Sequence, residues 1–366
     1  TLEVYEQLAK LGSAFLREAE MLLDRDANKQ GDWRTVGKEV AALVLILQIT
    51  LFDLEDRWKQ PVLLGQILVL GVSFRAGAFF LYPSVSGADR FTHQRYIDYL
   101  MDSGEILTGA AYSSLPVMHL LAGTAGLFLG GSKAGLFSVS ILHSIALLAV
   151  FPIGKRLAGA RTGLIAALLL SLADYGIMWG VQIIPMSLGV AWFALVLLAL
   201  TKRADAIRSR ERLAWTLSTL LFLSAMLFTH SLSTLILFVT LLAIWAVAVL
   251  LKRSRLSSKP VMVSLTLVGL FGIAMVAYWM WSFLRPGEPF FTRLVLSIRA
   301  ALSTAQLGRA EMVSPAGSMD AWTVFLGEAG WTVLLMPAIT GLLLAFSSHA
   351  RRGGFLIWAL LLVLFL

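Results

Sequence analysis

Long apolar runs separated by short polar breaks set the pattern of this chain. Apolar runs, most of them of about 18 to 22 residues, fall near 61–82, 134–154, 162–179, 184–201, 213–230, 232–251, 261–284, 330–348 and 353–366. That length is what about 30 Å of hydrocarbon requires of a helix. None of the runs alternates with period 2, so helices, which satisfy their own backbone polar groups in lipid, are predicted. The expected fold is an all-α polytopic membrane protein, a bundle of about nine spanning helices. One further apolar run, 113–130, does not fit as a span, because it would place Lys155, Arg156 and Arg161 outside. Read as an interfacial or re-entrant helix of the outer segment, it restores the topology.

Residues 1–56 follow a different pattern. Leu8, Leu11, Phe15 and Leu22 fall at helical spacing among Glu6, Lys10, Arg17, Glu18 and Glu20, which predicts an amphipathic helix. Val40 to Phe52 is apolar but short for a span, and is either half of an interfacial hairpin or an extra spanning helix. The expected organisation is an appendage at 1–56, suited to contact with a protein partner, and a transmembrane domain at 57–366. The chain opens at Thr1 without methionine and ends at Leu366 inside an apolar run, so it is expected to be trimmed.

Composition agrees with the membrane class: 58% hydrophobic and 14% charged residues, with a mean hydropathy of +0.80. The net charge of +8 sits in short clusters between spans, the positive-inside signature, and no basic domain with interleaved aromatics exists. Nucleic acid is therefore excluded as a partner. Inner loops receive Lys202, Arg203, Arg208, Arg210, Arg212, Lys252, Arg253, Arg255, Lys259, Arg351 and Arg352. Outer segments receive Asp89, Asp98, Asp102, Glu105, Glu288, Glu311, Asp320 and Glu328. With no cysteine, disulfides, thiolate metal sites and cysteine nucleophiles are excluded.

Candidate chemistry gathers in two long outer segments, 83–133 and 285–329. Asp89 falls just past the exit of the first span, behind Ser86-Gly87, where a carboxylate meets water and headgroups together. It is either a base for chemistry on a lipid-borne substrate or the cap of the helix that follows. His93, four residues later on the same helical face, either orients Asp89, touches substrate or is a surface histidine. Arg75 is an ionisable residue within the first span, poised for phosphate contact or for snorkelling to the outer surface. His230 and Arg285 close spans at the outer interface, and Glu105 is the reserve carboxylate. His119 and His143 read as packed bundle histidines. No metal ligand set is assigned, and a divalent cation is left open as a cofactor.

Four motifs, in order, resemble one family. Arg75, Tyr82-Pro83, Asp89 seven residues after Tyr82, and His93 resemble the first outer segment of the GT-C superfamily of polyprenyl-phosphate-sugar glycosyltransferases. YSSLPVMHLLAGTAGLFLG (112–130) resembles its half-buried helix, and GKRLAGARTGLIAALLLSL (154–172) its inner Gly-Arg-Arg-Leu hairpin. WGVQIIPMSLGVAWFAL (179–195) and LFTHSLSTLILF (227–238) are similar to archaeal and bacterial versions. The likeness covers 61–251 closely and 252–366 only in general architecture. Gln182 stands where the family often has a second acid, and an Asp-x-Asp pair is absent.

The resemblance implies a multi-pass enzyme of the cell membrane. It implies transfer of a sugar from a polyprenyl-phosphate donor to a hydroxyl of a glycan, lipid or protein acceptor on the outer face. Asp89 would then be the general base, with Arg75, His93, Glu105, Gln182, His230 and Arg285 on the substrates. Two other readings stay open: a transporter or flippase for a lipid-linked sugar, and a non-catalytic membrane anchor subunit.

Overall fold

The computed structural model describes residues 33–54, 58–81, 90–108, 112–173, 177, 180–181, 183–253, 263–281, 283–285, 288–289, 291–292 and 295–296. The described chain is helical, as the periodicity predicts, apart from one small antiparallel pair of strands. It divides into two compact units, residues 1–88 with 140–183 and residues 89–139 with 184–366.

In the first unit, α1 (Trp33–Leu51), α2 (Lys59–Leu81) and α7 (Ala160–Leu172) share a core of Leu45, Ile49, Leu54, Leu63, Ile67, Leu70, Leu164, Ala167 and Leu168. The apolar run at 40–52 therefore packs into this core, and residues 55–57, at the expected boundary, lie outside the described residues. The amphipathic pattern at residues 8–22 lies outside the described residues. Pro61 is tolerated in the first turn of α2, where its missing N–H would have no helical partner anyway.

The run expected at 134–154 is broken into α5 (Ser132–Leu147) and α6 (Val150–Ala158). Pro152 explains the break. Its ring clashes with the carbonyl four residues earlier, that of Leu148. There the chain tightens into i→i+3 bonds, Ala149 N–H to Ala146 O and Phe151 N–H to Leu148 O. α6 and α7 then form the hairpin that the glycine-rich motif encodes. Gly159 turns the chain with φ 94°, a left-handed conformation that glycine adopts without steric cost. Gly163 lets the two backbones meet: a Cβ there would sit 2.5 Å from Phe151 O and 2.8 Å from Lys155 N. Lys155 Nζ donates to Gln60 Oε1 at 2.8 Å, so this hairpin turn lies at the same end of the unit as the start of α2.

The second unit holds α3 (Arg90–Ser103), α4 (Val117–Leu129), α8 (Pro185–Asp205), α9 (Ser209–Leu227), α10 (Ser231–Arg253) and α11 (Leu265–Trp281). Val196, Leu200, Leu223, Met226, Leu237, Leu241, Ile244, Val268 and Phe271 form its main core. α4 is the expected helix within 113–130, but it has 13 residues, about 20 Å at 1.5 Å each, too short to cross the hydrocarbon. It stops at Gly130, whose φ of 84° lets its N–H turn back to Gly126 O at 2.9 Å. After α11, β1 (Phe283–Arg285) pairs antiparallel with β2 (Glu288–Pro289).

Among the described residues two helical stretches, Ser132–Arg156 and Pro185–Asp205, are long and apolar enough to cross a membrane. Shorter apolar helices occupy the expected positions at Ala160–Leu172, Ser231–Ala246 and Leu265–Trp281. The runs expected at 330–348 and 353–366 lie outside the described residues.

Candidate functional site

α3 is the element behind the predicted catalytic position. Its first residue is Arg90, so Asp89 directly precedes the helix but is itself outside the described residues, as is Gln182. α3 is polar overall, yet it buries one face on α4. Two glycines of α4 permit this contact: a Cβ at Gly123 would meet Leu100 Cδ2 at 2.9 Å, and one at Gly126 would meet Met101 Sδ at 2.9 Å. The face that α3 turns inward carries His93 and Ile97, both at 0% exposure. Asp98 and Asp102 face solvent, so neither joins the cluster described next.

His93 is not a surface histidine. Its Nδ1 lies 3.0 Å from His119 Nε2, and the two rings share one proton in that bond. A donor must face an acceptor there, so the imidazoles hold complementary tautomers. Two tyrosines complete a four-ring cluster. Tyr112 meets His93 edge-on with centroids 4.8 Å apart, and Tyr96 meets His119 at 5.4 Å. Burial first, and the His93 imidazole second, push the His119 ring down to about 3, so it is neutral at physiological pH. His119, expected only as a bundle histidine, thus belongs to the same cluster as His93.

The wall beside this cluster is pinned by two long-range bonds. The Tyr278 hydroxyl of α11 donates to Ser114 O, and Val117 N–H donates to Phe228 O at 3.3 Å. These bring 112–117, the α9–α10 turn and the end of α11 to one end of the unit. The basic turn 202–212 lies at the other end of α9, whose 19 residues measure about 28 Å.

His230 sits in the α9–α10 turn, which Val117 N–H and Phe228 O join to the start of α4. Its Nδ1 accepts from Ser233 N–H at 3.2 Å and lies 2.8 Å from Ser233 Oγ. The ring therefore caps α10, occupying the role a Ser or Asn side chain usually fills. This leaves Nε2 as the protonated nitrogen of the neutral ring.

The other predicted residues are dispersed. Glu105 is exposed in the turn after α3, its N–H bonded to Ser103 Oγ at 3.1 Å. Arg285 lies in β1, opposite Glu288 in the strand register. Arg75, in the first unit, is buried at 1% exposure and does not reach a surface by snorkelling. Its Nη1 donates to Gly71 O at 2.6 Å and approaches Ser171 O at 3.4 Å, tying α2 to the end of α7. Gly180 provides the room: a Cβ there would collide with the Arg75 Nε. No group of three His, Asp or Glu side chains that could hold a metal occurs among the described residues.

No protein-family model and no curated protein matches this chain.

Beside the four rings lies a shallow groove of about the size of one water molecule, its lining mostly apolar (Leu100, Ile106, Leu107, Pro116 and Leu120) with Tyr96, Tyr112, Ser113 and His119 among it. No lining residue is charged. Periodicity could not reveal this groove, because its walls come from α3, the turn before α4 and α4 itself. The signal that was available is compositional: Tyr96, Tyr112 and His119 crowd into one outer segment otherwise rich in small residues.

Proposed function

We propose that this chain is a multi-pass membrane glycosyltransferase of the GT-C kind, with Asp89 as its general base. The donor is a sugar on polyprenyl phosphate and the acceptor is a hydroxyl presented at the outer face. Asp89 takes the proton from that hydroxyl as its oxygen bonds to the anomeric carbon. The bond from the anomeric carbon to phosphate breaks, and polyprenyl phosphate departs with the electron pair.

The observation that carries this reading is the polar assembly at one end of the second unit. α3, opening directly after Asp89, packs His93 against His119, and the Val117–Phe228 bond joins the turn that carries His230 to the start of α4. The Lys/Arg-rich turn lies at the far end of α9. A membrane-surface enzyme requires this polarity, with substrate chemistry at one end and the positive-inside charges at the other. The order of the four sequence motifs supplies the reaction class.

Asp89→Asn tests it. Asn caps a helix nearly as well as Asp, so the fold should persist. It takes no proton at neutral pH, so sugar transfer from a polyprenyl-phosphate donor should fall about 10²–10⁴-fold. Near-normal transfer by monodisperse variant protein would remove Asp89 from the mechanism and make Glu105 the carboxylate to test.

A further inference from the structure

We propose that the turn between α8 and α9 binds anionic phospholipids of the inner leaflet, with its arginines on the headgroup phosphates and Ile207 entering the acyl boundary. The inference rests on the membrane-spanning reading and is independent of the sugar chemistry. Position comes first. α8 is long and apolar enough to cross a membrane, and it ends in Lys202 and Arg203. Ile207 follows two residues after α8 closes at Asp205, and α9 opens at Ser209. The turn therefore stands where hydrocarbon gives way to headgroups.

Chemistry comes second. Residues 202–212 hold five cations, Lys202, Arg203, Arg208, Arg210 and Arg212, against two acids, Asp205 and Glu211. Two of these cations build the turn: Arg203 Nε donates to Thr216 Oγ1 at 3.0 Å, and Arg212 Nη2 donates to Ala206 O at 3.2 Å. Lys202, Arg208 and Arg210 are exposed. Arg208 lies 3.7 Å from Glu211 with its side chain 83% exposed, and an exposed pair of that kind holds it weakly. A guanidinium presents a planar fork that matches phosphate oxygens.

Charge alone would amount to the positive-inside pattern, which a turn in water satisfies equally. Ile207 is what that pattern leaves unexplained. At 91% exposure it is the most exposed large hydrophobic side chain among the described residues. A single exposed apolar residue is ordinary on a protein surface. This one stands among cations, and exposed Leu213 and Leu217 continue the apolar surface along α9. Cations beside apolar side chains are what an element at the headgroup boundary carries, one kind meeting phosphate and the other the acyl chains.

The test uses the purified chain in detergent, with phosphatidylglycerol and phosphatidylcholine of the same acyl chains as probes. Native mass spectrometry reads the lipid retained. The variants are the double Arg208→Gln/Arg210→Gln, Ile207→Ser, and Arg95→Gln, which removes an exposed cation of α3 as the control for net charge. All four side chains are exposed, so the fold should persist. A cation at an anionic surface contributes about 1 kcal/mol, or about fivefold, so the double variant should bind phosphatidylglycerol about twenty- to thirtyfold more weakly. Ile207→Ser should lose about tenfold, and Arg95→Gln should match wild type. Equal retention of the two lipids by wild type would overturn the proposal and leave an acidic protein segment as the counterpart of the turn. Phosphatidylglycerol affinity unmoved in the double variant, or lowered as far in Arg95→Gln, would overturn it as well. Unmoved affinity in Ile207→Ser would overturn the insertion of Ile207. Release of the chain from membranes by alkaline carbonate would instead sink the membrane reading, which a failed lipid preference leaves standing.

Discussion

The Gly163 contact makes the sharpest stability prediction, because two opposing terms there can be weighed. Gly→Ala within a helix gains about 1 kcal/mol of intrinsic propensity. At Gly163 the new methyl would stand 2.5 Å from Phe151 O and 2.8 Å from Lys155 N, both backbone atoms of α6 that no rotamer change can move. Ordinary contact begins at 3.4 Å, so α6 and α7 must part by about 0.9 Å. Overpacking of this kind costs about 1–3 kcal/mol, leaving a net loss of up to about 2 kcal/mol. Gly65, in the middle of α2, is the control, since a Cβ there meets nothing within 4 Å. Gly65→Ala should stabilise by about 0.5–1 kcal/mol. The assay is thermal loss of the monodisperse peak from detergent-solubilised protein, with wild type between the two variants. Gly163→Ala surviving to the same temperature as Gly65→Ala would refute the close-packed hairpin.

Three further tests address the second unit. Tyr278→Phe removes the donor to Ser114 O and should cost about 1–3 kcal/mol, seen as faster hydrogen exchange of the amides at 112–117; unchanged exchange would mean the wall is held by other contacts. Acid should destabilise the unit through His119: its folded pKa of about 3 lies below the usual 6.5, so the unfolded chain binds the proton first. That contribution is complete above pH 6.5 and is lost as pH falls from there toward 3, by at most about 1.4 kcal/mol per pH unit; His119→Phe should flatten the slope. His230→Ala should lose the α10 cap at about 0.5–2 kcal/mol while His230→Asn keeps it, and a raised donor KM in the Asn variant alone would assign Nε2–H to substrate.

The apolar pattern was enough to place most of the described helices, because it is a local property. The GKRLAGARTG hairpin was legible for the same reason, its glycines being read along one short stretch. What escaped depends on contacts between distant segments. His93 and His119 are 26 residues apart and share no spacing rule, so His93 was left between orienting Asp89, substrate contact and the surface, and His119 read as packing. Arg75 was left between phosphate and lipid surface, and the structure binds it to the carbonyls of Gly71 and Ser171. Its neighbour across that contact, Gly180, announces nothing in sequence. The break at Leu148 could have been read from Pro152, but the apolar run hid it. The pairing of Phe283–Arg285 with Glu288–Pro289 was obscured by the surrounding apolar pattern.

The shared proton of the His93–His119 pair also constrains how this chain can drift over generations. Replacing one imidazole by an apolar side chain strands the other's ring nitrogen in a buried place, at a cost of about 1–3 kcal/mol. Replacing both by groups of similar shape is close to neutral. Descendants of this sequence should therefore alter positions 93 and 119 together, as two histidines, a donor with a fixed acceptor, or two apolar residues. Correlated change between two sites 26 residues apart would record a hydrogen bond that neither site discloses by itself.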